Sequence, residues 1–422
     1  MKILKRTLCL VMCLVMAFSS MVIVGAKDTA EEVTGFTQED TLRVKGTKIV
    51  NQKGEKIKLK GVNLGAWLIF EDWLTPYETK EAADNYEVIE ILIDRFGVEK
   101  AYAALDQYYR NWITEEDLDN IKEMGFNCVR VPFWYRNFYY GDTMDTKILD
   151  ENGQWDFSIL EWVVEECSKR EIYVVLDMHG APGFQGNAGH SGKLDSCTLY
   201  DDTEQGEYNR KMTEELWAGI AAKFKGNPAV AMYDLLNEPM CEVEASEFDR
   251  RANNTALFSR LYKAVREVDP DHIITLESIW TGLGLPHSYL QGWKNVVYQV
   301  HFYETSDFVF TFFCMMAKMW HFNVPMMMGE FYPREATTWE NCMRTLNFCG
   351  YHWFLWTYKA ANHGMWESDW CLYGAKNGFH RAKIASGTYE EILDAWSAER
   401  LNTSTGFQDT GHYDKNIKDY IK

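Results

Sequence analysis

From Lys58 onward, short apolar runs alternate with longer stretches in which apolar residues recur at helical spacing, the rhythm of parallel βα units. Eight strand candidates follow one another: LKGVNLG from Leu59, CVRVPF from Cys128, YVVLDMHG from Tyr173, VAMYDLLNEP from Val230, IITLES from Ile273, VVYQVHFY from Val296, MMMGEF from Met326 and HWFLWTYK from His352. Eight such units predict an α/β chain closed into a single (β/α)8 TIM barrel. Helix entries are marked where Thr114 precedes Asp117 in capping-box spacing and where Thr388 precedes Tyr389-Glu390-Glu391. Ahead of the barrel, Thr41 to Lys60 alternates apolar and polar residues around Asn51-Gln52-Lys53-Gly54, which predicts an N-terminal β-hairpin. Phe308 to Phe322 is the most apolar stretch after the N-terminus; Lys318 interrupts it, and it reads as a buried barrel helix rather than a membrane span.

The first six residues carry three basic side chains, and an apolar run from Leu8 to Val24 ends in Val24-Gly25-Ala26. This predicts a secretory signal peptide over residues 1–26, cleaved near Ala26 rather than kept as an anchor. The acidic residues 27–40 read as a flexible lead-in. No linker, repeat or low-complexity tract breaks residues 41–422, which are read as one catalytic domain. Loss of the signal removes three of 43 basic and none of 62 acidic residues, leaving 40 − 62 = −22. That charge disfavours nucleic acid as a partner. The expectation is a secreted monomer with no stable membrane association. Of the cysteines left after cleavage, Cys128 and Cys167 fall in apolar stretches and read as buried thiols. Cys197 and Cys241 sit in neighbouring loops, where pairing stays open.

In such a barrel the reactive groups stand at the C-terminal ends of the strands. Polar or aromatic residues recur there: Arg130, Asp177 and His179, Asn237-Glu238, His301 and Tyr303, Glu330, and Trp356. Charges in strands lose solvation unless paired, so a converging set points to a site. Glu238 and Glu330 each follow a run too apolar to tolerate an idle charge, and they lie on strands four and seven, across the barrel mouth. Glycoside hydrolysis with retention needs such a pair about 5–5.5 Å apart, one attacking the anomeric carbon and one protonating the leaving oxygen. There is no His-x-His at a strand end and no HExxH, so a metal-dependent hydrolase is not expected, and neither metal nor cofactor is assigned.

These motifs, VRVP, LDMHG, LNEP, VHFY, GEF and WTYK, resemble glycoside hydrolase family 5 over Thr41 to about Leu401. The resemblance implies Glu238 as catalytic acid/base and Glu330 as nucleophile. It implies substrate-binding or positioning roles for Arg130, His179, Asn237, His301, Tyr303 and Trp356. Arg130 and Tyr303 would aim Glu330, Asn237 would hold the sugar 2-hydroxyl, and Trp356 would floor the site; Trp366 and Trp370 are further stacking candidates.

GVNLGAWLIFEDWLTP, from Gly61 to Pro76, and HGAPGFQGNAGHSG, from His179 to Gly192, are similar to the exo-β-1,3-glucanase branch of that family. On that match Glu71 is the carboxylate that closes the pocket on a terminal glucose. The aspartate that the branch carries at Gly189 is missing. The expected function is therefore a retaining β-glucan hydrolase acting as an exo-β-1,3-glucanase. An endo-β-1,4-glucanase is the alternative, and a catalytically inactive carbohydrate-binding barrel is the alternative from another class.

Overall fold

The computed structural model describes residues 35–71, 74–278, 282–303, 306–334, 337–362, 370–374 and 378–421. From Phe36 onward the chain forms one compact unit. Its centre is a closed barrel of eight parallel strands: β4 (Lys60–Asn63), β5 (Cys128–Trp134), β6 (Tyr173–Gly180), β7 (Val230–Asp234), β8 (Ile273–Glu277), β9 (Val296–His301), β10 (Met326–Glu330) and β11 (His352–Leu355), with β11 pairing back onto β4. Every strand candidate of the sequence is one of these.

Helices follow the strands in turn: α1 (Asn85–Phe96), α2 (Val98–Trp112) and α3 (Glu115–Glu123) after β4, α4 (Ser158–Lys169) after β5, α5 (Glu204–Phe224) after β6, α6 (Glu247–Val268) after β7, a single turn α7 (Ser288–Gln291) after β8, α8 (Asp307–Trp320) after β9, and α9 (Trp339–Cys349) after β10. Thr114 caps α3 as expected: its amide and its hydroxyl both reach the Asp117 carboxylate, at 2.9 and 3.0 Å. Thr388 caps α10 (Tyr389–Ala395), its amide donating to the Glu391 carboxylate at 2.8 Å and its hydroxyl accepting from Glu391 N at 3.2 Å.

The N-terminal element is larger than a hairpin. β1 (Arg43–Lys45) turns at Gly46 into β2 (Lys48–Val50), which pairs again with β3 (Lys56–Ile57) across the expected 51–54 turn. Leu42, just ahead of this sheet, and Ile49 within it join Cys128, Val175, Met232, Val297, Met327 and Phe354 in one apolar cluster. The sheet thus plugs the N-terminal end of the barrel and leaves the opposite end for chemistry. Of the lead-in, residues 27–34 lie outside the described residues, while its end packs on the barrel: Phe36 stacks on Tyr173 at 4.1 Å, and the Tyr173 hydroxyl donates to Asp40 O at 2.9 Å. Ordering follows because the ring has an apolar partner to cover.

Helix α8 differs from its expectation. It buries Phe310, Cys314 and Ala317 against the barrel but leaves Phe308, Phe312 and Met319 at least half exposed. One helix can turn only one face to a barrel, and this sequence is apolar around most of its circumference. Among the described residues, no helix is long and apolar enough to cross a membrane. The eight cysteines from Cys128 to Cys371 are free thiols, Cys197 and Cys241 included.

Candidate active site

Arg130, fully buried on β5, organises the mouth of the barrel. Its Nη1 donates to Glu330 Oε1 at 2.8 Å and to Asn63 Oδ1 at 3.1 Å, and its Nε donates to Asp234 Oδ2 at 2.8 Å. Nη2 donates to Asn237 Oδ1 at 2.8 Å and lies 3.0 Å from Asp177 Oδ1. Burial works against the guanidinium charge, but Asp177, Asp234 and Glu330 more than offset it and raise its pKa. Asp177 and Asp234 are themselves pushed up to about 7 by burial, against the pull of Arg130. Gln299 Nε2 donates to both oxygens of Asp234 at 2.7 Å.

Glu330 ends β10 and stands on this base. Its second oxygen, Oε2, accepts the Tyr303 hydroxyl at 2.8 Å. Burial raises its carboxyl pKa, while Arg130 and the Tyr303 hydroxyl pull the other way. The residue before it has to be glycine: a Cβ on Gly329 would lie 2.0 Å from Gln299 Oε1 and 2.6 Å from His301 Nε2.

Glu238 sits just past β7 in the left-handed region, at φ +40°. Its amide donates to Glu277 Oε2 at 2.7 Å. Oε1 lies 2.8 Å from His301 Nδ1, and Oε2 lies 3.2 Å from His190 Nε2, close but not aligned as a hydrogen bond. One oxygen of Glu238 and one of Glu330 lie within 4.8 Å of each other, with His301 between them. Burial, then the charge of Glu330, push the Glu238 carboxyl well above the usual range. Burial also holds His179 and His190 down at about 3 and His301 well below its ordinary value, so all three imidazoles are neutral near pH 7.

His179 Nδ1 lies 2.7 Å from Asp177 Oδ2, and its ring stacks on Trp356 at 5.6 Å and 10°. Gln185 clamps the two loop starts together, its Nε2 donating to His179 O at 2.7 Å and Asn237 O at 3.0 Å. Glu71, after β4, brings Oε1 to 3.8 Å from His179 Nε2. It also lines a cavity of about 350 Å³ with Phe70, Tyr77, Asp84, Gly189 and His190.

All nine residues singled out from the sequence therefore meet at one end of the barrel. Trp370 does not join them; it is fully buried against Phe126, Tyr358 and Tyr413, while Trp366 lies outside the described residues. Sequence reasoning missed Asn63, Asp234, Glu277, Gln299, His190 and Cys241. Asp234, Glu277 and Gln299 each stand in a mostly apolar strand, the one signal available for them. His190 lies in an irregular loop with no period to betray it.

Residues 50–362 match the family model for cellulase (glycosyl hydrolase family 5). A beta-xylosidase of Phanerodontia chrysosporium is 32% identical over 269 residues, 63% of this chain and 52% of that protein. A glucan 1,3-beta-glucosidase of Candida oleophila is 31% identical over 192 residues, 43% of each. The chain spans about half the length of the curated relatives it matches. Rutinosidase from Aspergillus niger superposes with a TM-score of 0.59 at 15% identity, over 86% of this chain and 98% of that one, a likeness of fold.

Proposed function

The chain belongs to the cellulase family, glycosyl hydrolase family 5, and on that premise we propose that it hydrolyses β-glucan with retention, Glu330 as nucleophile and Glu238 as acid/base. The observation that carries this reading is the carboxylate pair. One oxygen of each lies within 4.8 Å of the other, the close approach of a retaining pair and short of the roughly 6.5–9.5 Å that leaves room for an inverting water. Two environments divide the labour. Glu330, on Arg130 and the Tyr303 hydroxyl, is held as the anion and attacks the anomeric carbon. Glu238, buried and next to that charge, keeps its proton and delivers it to the leaving oxygen. Once Glu330 is esterified its charge is gone, the Glu238 pKa falls, and the same group deprotonates the incoming water. Asn237, oriented by Arg130, holds the 2-hydroxyl, and Trp356 floors the sugar.

We place the enzyme outside the cell after signal cleavage, as a monomer acting on glucan ends at β-1,3 linkages. Glu71 supports this specificity, as does the likeness to proteins named glucan 1,3-beta-glucosidases. The cavity behind Glu71 favours the second reading, endo-β-1,4-glucanase. Gly189 leaves space where the branch carries an aspartate, since a Cβ there would make only an ordinary contact of 3.5 Å with Leu194. Product profiles on laminarin, lichenan, pustulan and cellulose decide between the two. Glucose alone from laminarin is expected; an early ladder of oligosaccharides, or cutting confined to cellulose, would replace the exo reading with the endo one. Proton NMR of the first product should show the β anomer, and an α anomer would overturn Glu330 as nucleophile.

A further inference from the structure

Beside Glu238 stand two donors, His190 and Cys241, that the hydrolytic reading does not use. A ring nitrogen of His190, a carboxylate oxygen of Glu238 and Cys241 Sγ all lie within 4.8 Å of one another, with His190 Nε2 at 3.2 Å from Glu238 Oε2. Cys241 is buried and unpaired, and its thiol meets the Glu238 carboxylate. His190 Nε2 is buried without an aligned hydrogen-bond partner.

The two loops that carry these groups are fastened to each other. Cys241 N donates to Glu238 O at 3.1 Å, Asn187 N to Cys241 O at 3.0 Å, and Met240 N to Gln185 O at 2.6 Å. Ser191 Oγ braces the His190 loop on Gly186 O and Ala188 O at 3.0 and 2.8 Å. Gly186 is the point of contact, for a Cβ there would sit 3.0 Å from Cys241 O. One nitrogen, one oxygen and one sulfur donor are thus presented by backbone that is already held in place, which is what a metal site asks of its scaffold.

We propose that His190, Glu238 and Cys241 bind a divalent cation of the zinc class, and that the bound cation switches the enzyme off. Zinc takes sulfur at about 2.3 Å and nitrogen or oxygen at about 2.0–2.2 Å. Tetrahedral donors then lie roughly 3.3–3.7 Å apart. His190 Nε2 and Glu238 Oε2 already stand 3.2 Å apart, and Cys241 Sγ has to close by no more than about 1 Å, within the reach of side-chain rotation. Binding displaces the protons of the Cys241 thiol and the Glu238 carboxyl to solvent and leaves the fourth position to water. Glu238 then has no proton to give, and the positive charge on its carboxylate lowers its basicity toward the incoming water. The softness of the thiolate selects zinc-like ions over magnesium or calcium. A second cluster, Glu238 with His301 and Glu330, lacks sulfur and faces the Arg130 guanidinium, which repels a cation.

The test titrates the reduced full-length protein with Co²⁺ and, separately, with Zn²⁺. Expected are a cobalt–thiolate charge-transfer band in the near ultraviolet and Zn²⁺ inhibition that a chelator reverses, with Mg²⁺ inert. Cys241→Ser should abolish the band. Cys241→Ser and His190→Gln should each weaken Zn²⁺ inhibition about tenfold or more, measured against that variant's own metal-free rate. The band is read without turnover, so it stands even if the substrate assignment fails. Absence of the band in the wild type, or undiminished Zn²⁺ inhibition in both variants, would overturn the proposal.

Discussion

Glu238 and Glu330 are the same residue type in nearly the same volume, and only their partners separate them. Their alanine variants should therefore fail in different ways. With an activated leaving group, Glu238→Ala should still form its glycosyl-enzyme and yield a β-glycosyl azide in azide, while with a poor leaving group it should lose roughly 10²–10⁴ in rate. Glu330→Ala should give the α-azide, and identical azide products from both variants would mean the roles are misassigned. Glu242 offers a test of the pKa argument without touching the reacting groups. Its charge adds to those that raise the Glu238 pKa, so Glu242→Gln should move the alkaline limb of the kcat/KM profile to lower pH. Glu242 is exposed, hence the shift should be modest and largest at low salt. An unmoved limb at low salt would contradict the coupling. The rim itself was legible from sequence because a lone charge after an apolar run is conspicuous. Asp234, Glu277 and Gln299 escaped because a single polar residue within a strand has no direction until the barrel closes.

The elements were legible for a similar reason: parallel strands buried on both faces are written as apolar runs, and all eight were read in order. The break at Gly46 that splits the first arm of the hairpin into β1 and β2 was not, since three-residue strands carry no period, and neither was the ordering of Phe36, whose partner Tyr173 is remote in sequence. The N-terminal sheet is held to the barrel floor by few side chains, and Ile49→Ala should cost about 2–5 kcal/mol in urea unfolding. A loss under 1 kcal/mol would mean that the floor stands without its plug. β12 (Lys359–Ala360) buries an amine. Lys359 Nζ donates to Trp112 O at 2.7 Å and Leu401 O at 2.8 Å, yet burial lowers its pKa from 10.5 to about 8. Between those values the unfolded chain holds more protons than the folded one, so this lysine contributes stability that rises with pH. Relative to Lys359→Met, the wild type should gain in Tm from pH 8 to pH 10; a constant difference would remove the linkage.

At the scale of the molecule, net charge and surface chemistry pull apart. The full sequence carries −19, yet α8 and the segments beside it expose Phe308, Phe322 and Phe348. The site depends on neither. It depends on Arg130, whose five partners come from β4, β6, β7, the turn after β7, and β10. No contiguous half of the chain contains them all. Heat inactivation and loss of tertiary circular dichroism should accordingly share one midpoint, and activity lost well before unfolding would argue against this. The wider consequence concerns assembly order. A nascent chain that has made β4 to β7 holds its guanidinium and two aspartates but not Glu330, so an incomplete ring is an incomplete reagent. Catalytic competence then arrives as a last stitch, and an unfinished molecule is chemically silent wherever synthesis leaves it.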